Sequence, residues 1–225
     1  MIRFRNVLSL LLVLPLAGCA SKNSKTWYPI EETKDLAASP DHVADYCLVG
    51  DSRTVAIYWA LTGSMSDSTV AKIANDSVVF AASVGEGYTY LKDTVLPLID
   101  PYVGEGTKVA VLTGVNDIGQ ISTDSYISLL EDTASDYKER GASLYYVFVN
   151  PVSDDLVPSG TTLTNEKVNE WNRAMRQGLP KDVPCIDINS KITGHIEWAD
   201  FLHYENSTNL TIYEDLMEEL DSKDQ

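Results

Sequence analysis

Four short stretches of the chain bring together the residue types that acyl-transfer chemistry needs. Gly50-Asp51-Ser52 places a hydroxyl between an apolar run that stops at Gly50 and a second apolar run with helical spacing. A serine hydroxyl is a poor nucleophile at neutral pH and needs a base beside it. The chain holds 3 histidines. His42 lies at the edge of a polar segment, and His195 has no aspartate three residues before it. In "ADFLHY", Asp200 precedes His203 by three, so one turn of backbone can bring the carboxylate to the imidazole. There it would fix the ring tautomer and stabilise an imidazolium.

An oxyanion needs N–H donors as well. Asn116, in Gly114-Val115-Asn116-Asp117, offers a side-chain donor, and Gly85-Glu86-Gly87 offers backbone amides. Gly87 is favoured because the residues after it open a helix, with Gly85 as the alternative; the Ser52 amide would complete the set. Each stretch also has a plainer reading. Ser52 could be a helix N-cap, Asp200-x-x-His203 a surface turn, and Asn116 and the glycines turn residues. Arg53 could reach an anionic group of a substrate or pair with a surface carboxylate.

The elements that must position these residues follow from periodicity. Short apolar runs at 46–50, 77–83, 108–114, 143–151 and 183–189 predict five strands. Helical patterns at 54–63, 88–99, 124–141, 164–179 and 208–220 separate or follow them, the second interrupted late by Pro97. Strands alternating with helices predict a mainly parallel five-stranded sheet with helices on both faces. Sites in such sheets form beyond the carboxyl ends of the strands. Ser52, Gly85-Gly87 and Asn116 follow the first three strands, and Asp200-His203 follows the fifth.

With these blocks in this order, the chain resembles the SGNH or GDSL hydrolases: Gly50-Asp51-Ser52, then Gly87 (or Gly85), then Gly114-x-Asn116-Asp117, then Asp200-x-x-His203. The resemblance spans Tyr46 to about Leu220. It departs at Phe201, where the family often has glycine, and at Arg53, where small or apolar residues are common. It implies a flavodoxin-like three-layer α/β/α sandwich. It also implies a cofactor-free serine esterase with Ser52, His203 and Asp200 as its triad, acting on esters or thioesters. A lipase or thioesterase, or a binding module that kept the fold without turnover, are the alternatives.

The first residues read as targeting rather than fold. Arg3 and Arg5 precede an apolar run over 7–17 that is too short to span a bilayer. Leu16-Ala17-Gly18-Cys19 looks like a lipoprotein cleavage and lipidation signal. The expected division is a signal peptide at 1–18, a lipidated Cys19 and tether over 19–43, and a hydrolase domain over 44–225. The protein is thus expected to be exported and lipid-anchored to a bacterial membrane. Removing residues 1–18 deletes two arginines and no carboxylate, taking the formal net charge from -16 to -18. Such acidity argues against nucleic-acid partners. No Cys-x-x-Cys spacing or histidine cluster suggests a metal. Cys47 and Cys185 lie in strand-like runs as core residues, and a bridge between them is left open. The expected state is a monomer acting on an ester, with small acyl groups on extracytoplasmic glycans as one substrate class.

Overall fold

In the computed structural model of the protein, residues 30–194 and 196–223 are described. The signal segment, Cys19, the first part of the expected tether and His195 lie outside the described residues. Strands β1 (Thr33–Asp35), β2 (Tyr46–Gly50), β3 (Thr69–Ala74), β4 (Val78–Ser83), β5 (Lys108–Leu112), β6 (Ser143–Val147) and β7 (Cys185–Ile186) form one sheet in the order β1-β3-β4-β2-β5-β6-β7. The five predicted strands all pair in parallel. The sheet has seven strands rather than five, because β3 and β1 extend one edge in antiparallel register.

The extra strands come from a hairpin and from part of the expected tether. Asn75 and Asp76, with φ of 50° and 53°, turn β3 back into β4 through a three-residue loop over 75–77, closed by the Ser77 amide donating to the Ala74 carbonyl at 3.0 Å. Asn75 Oδ1 then accepts the amides of Glu31 and Glu32, which lays β1 along β3. Lys72 pairs with Asp35 across that edge.

Along β2, side chains alternate between two cores. Cys47 and Val49 enter the cluster beneath the helices at 88–139 and 165–178, whereas Tyr46 and Leu48 enter the cluster under the first and last helices. Burial on both faces explains why the central strands are almost wholly apolar. Helix α1 (Ser52–Thr62) and α7 (Asn206–Ser222) pack side by side on one face. The other face carries α2 (Tyr88–Tyr90), α3 (Leu96–Ile99), α4 (Thr123–Glu139) and α5 (Asn165–Gly178), with the short α6 (Asn189–Ile192) between β7 and α7. A π turn at Leu91–Val95 joins α2 to α3 just before Pro97. Proline lacks the amide that a regular turn would use and crowds the carbonyl four residues back, so the widened turn sits where the sequence placed a break. Cys47 and Cys185 are free thiols on strands separated by β5 and β6.

Candidate active site

The site begins where β2 stops. A Cβ at Gly50 would overlap the Thr54 side chain, so glycine lets α1 start directly against the strand end. The residue that caps α1 is Asp51, whose carboxylate accepts the Arg53 amide at 3.0 Å. The cap role considered for Ser52 is therefore taken by its neighbour. Ser52 is the first helical residue, 8% exposed, and its hydroxyl is free for another partner.

That partner arrives from the far end of the chain. His203 Nε2 lies 2.8 Å from Ser52 Oγ, and His203 Nδ1 lies 2.8 Å from Asp200 Oδ2. An ionised carboxylate can only accept, so Nδ1 must carry the proton, and neutral Nε2 is left to accept the serine O–H. Partial burial pushes the Asp200 carboxyl up. The His203 ring and the amides of His203 and Leu202 outweigh that effect and hold it below the ordinary carboxylate range. Those amides donate to Asp200 Oδ1 at 2.8 and 2.7 Å. The turn reading of Asp200-x-x-His203 and its pairing reading are thus both true: one oxygen builds the turn and the other orients the ring. Trp198 and Tyr204 close the loop as an isolated antiparallel bridge. Phe201 is 8% exposed and belongs to the core cluster on the other face, which anchors the loop.

Arg53 departs from the expected pairing with a surface carboxylate. It is 8% exposed, and its guanidinium donates to the carbonyls of Leu202 (2.9 Å), Asn150 (2.7 Å) and Pro151 (2.9 Å). It also lies 5.1 Å from the centre of the Tyr204 ring. Its partners are backbone carbonyls rather than a surface carboxylate, and through them it ties α1 to the loop that carries His203. Nothing local in the sequence signals this, because the partner carbonyls lie 97 to 149 residues away.

Gly87 and Asn116 follow β4 and β5, the two strands that flank β2 in the sheet, so they stand on either side of Ser52. Their loops are tied together. Asn116 Nδ2 donates one N–H to the Glu86 carbonyl at 2.7 Å, which leaves its second N–H for another acceptor. The buried Asp117 carboxylate accepts the Tyr88 amide (3.1 and 3.2 Å) and the Tyr126 hydroxyl (2.6 Å). A Cβ at Gly87 would overlap that carboxylate, so this glycine is required by space. Gly85 instead has φ +77° with open space around it and is the turn residue. The pinning role of Asp117 went unassigned in the sequence, although the residue sits inside a recognised block.

Asp51 is 1% exposed. Burial pushes its pKa up to about 6, against the lowering effects of the Arg53 amide and of the Arg53 and His203 charges. A cleft of about 330 Å³ opens beside Ser52, between α1, the loop after it, the end of β4 and the His203 loop.

No protein-family model and no curated protein matches the sequence. Solved structures do resemble it. A Streptococcus pneumoniae structure described as a candidate platelet activating factor superposes with a TM-score of 0.59 at 18% identity, over 80% of this chain and 85% of the other. A GDSL-like lipase from Bacteroides thetaiotaomicron gives 0.55 at 13% identity, over 80% and 88%. The acetyl xylan esterase AlAXEase gives 0.51 at 12% identity, over 77% and 98%. At such identities the likeness is one of architecture, and the chain has the fold of the SGNH/GDSL hydrolases.

Proposed function

We propose that the protein is a serine ester hydrolase. Ser52 Oγ bonds to the ester carbonyl carbon while His203 Nε2 takes its proton and Asp200 holds the imidazolium. The oxyanion rests on the Ser52 and Gly87 amides and the second N–H of Asn116, a donor of a type worth about 2.7–4 kcal/mol in the transition state. Collapse breaks the bond to the alcohol oxygen, which receives the proton from Nε2. Water then repeats the sequence on the acyl-enzyme, releasing the acid and restoring Ser52. The observation that carries this reading is the unbroken contact from Ser52 Oγ through His203 to Asp200, at 2.8 Å in both links.

Ser52→Ala is expected to abolish hydrolysis of p-nitrophenyl acetate with the thermal midpoint retained. A fluorophosphonate probe should label Ser52 in the parent and nothing in the variant. Full turnover by Ser52→Ala would remove this serine from the chemistry.

The substrates in this reading are extracytoplasmic esters, on a glycan or on a small molecule. The fold neighbours include a lipase and an acetyl xylan esterase, so the architecture alone does not choose between acyl groups. We further propose that Cys19 carries a lipid anchor. Cys19→Ala should release the protein from the membrane fraction of a bacterial expression host, and unchanged fractionation would refute the anchor.

A further inference from the structure

The cleft beside Ser52 has apolar walls. Ala56 and Trp59 of α1, Met65 of the loop after it and Val84 at the end of β4 line it, facing His203 and Tyr204. Met65 is 72% exposed and Val84 44%, two of the five large apolar side chains left exposed among the described residues. The Trp59 indole N–H is already satisfied by the Asp67 carbonyl at 3.1 Å, so the ring offers a hydrocarbon wall rather than a donor. Apolar side chains gathered at a concave surface mark a ligand groove, and about 300–1,000 Å³ is the usual size of small-molecule sites. Glu205 and Asn206 also line the cleft and would meet a polar group of a ligand.

Which half of an ester belongs there follows from proton transfer. The leaving oxygen must receive its proton from His203 Nε2, so the alcohol departs on the imidazole side. Ser52 and His203 line this cleft, whereas Gly87 and Asn116 do not. Resting on the esterase reading above, we infer that the cleft binds the alcohol portion of the substrate and that this portion is a hydrocarbon. The substrates are then small-molecule esters of apolar alcohols rather than esters of a glycan, whose hydroxyls would find apolar walls.

The test compares kcat/KM of the full chain on ethyl, butyl and hexyl acetate with ethyl acetate, butanoate and hexanoate. Each methylene buried on the alcohol side should raise kcat/KM about fourfold until the cleft fills, so hexyl acetate should exceed ethyl acetate by at least about tenfold. The acyl series should lack this rise. In the double variant Met65→Ser/Val84→Ser the hexyl-to-ethyl ratio should fall severalfold; being a ratio within one preparation, it is insensitive to partial misfolding. A flat alcohol series, a rise confined to the acyl series, or a ratio unmoved by the double variant overturns the inference. Retained fluorophosphonate labelling of Ser52 in those cases would leave the esterase reading standing. Loss of both labelling and all turnover in the parent would remove the two together.

Discussion

Asp51 caps α1 with a carboxylate that is almost wholly out of water, and its pKa near 6 has a consequence for stability. An unfolded aspartate loses its proton near pH 3.9. Between that value and about 6 the folded protein holds more protons than the unfolded chain, so stability falls as pH rises through this window. The accumulated loss is on the order of 3 kcal/mol, complete above the folded pKa and absent below the unfolded one. Asparagine caps a helix about as well and cannot ionise. Asp51→Asn should therefore gain on the order of 2–3 kcal/mol over the parent at pH 8 and nothing at pH 3.5, read from urea unfolding midpoints. Asp200 acts in the opposite sense: its lowered pKa contributes stability above the unfolded value that is lost as pH falls through the folded one. It does so equally in both proteins and cancels from the comparison. Equal stability of the two at pH 8 would refute the burial cost assigned to Asp51.

At the scale of elements, the reacting pair depends on how α1 is fastened to the His203 loop. Arg53 follows Ser52 directly, and its side chain holds the carbonyl of Leu202, the residue before His203, while Tyr204, the residue after, lies beside its guanidinium. The Tyr204 hydroxyl bonds the Pro151 carbonyl at 2.5 Å, a carbonyl that Arg53 also holds. Lysine keeps the charge but is a point donor on a flexible stem and cannot span three carbonyls in one plane. In Arg53→Lys we expect kcat to fall at least about tenfold, since small misplacements of a catalytic group are costly. KM should change little, because Arg53 does not line the cleft beside Ser52. An unchanged kcat would show that the loop is held by other contacts. The same elements show what a sequence reveals. The parallel strands and their helices were legible because each is a local periodic run, and the Asp200–His203 pair because its spacing is one turn. β3 escaped notice because Lys72 and two alanines blur its alternation, although the Asn75-Asp76 turn was a usable signal. The Arg53 clamp had no local signal, since it exists only between segments brought together by the sheet.

The whole molecule carries a formal net charge of -16. Many of its cations are already spent locally: Lys34 on Asp76, Lys138 on Asp182, Arg140 on Asp100 and Asp136, and Arg176 on Asp187. Around α7, Lys191 stands within 4 Å of three carboxylates, Asp215, Glu218 and Glu219. What remains is an excess of carboxylates whose mutual repulsion opposes the compact state. Salt weakens the attractive pairs too, but exposed pairs are each worth little, whereas the repulsion sums over the whole surface. Raising the ionic strength from 0.01 to 0.15 M shortens the screening length from about 30 to about 8 Å, which removes the long-range repulsion first. The melting temperature should therefore rise with sodium chloride over that range, by about 2–4 °C for each kcal/mol relieved in a chain of this size. A melting temperature that falls over the same range would mean that the paired cations, not the unpaired carboxylates, dominate the electrostatics of this fold.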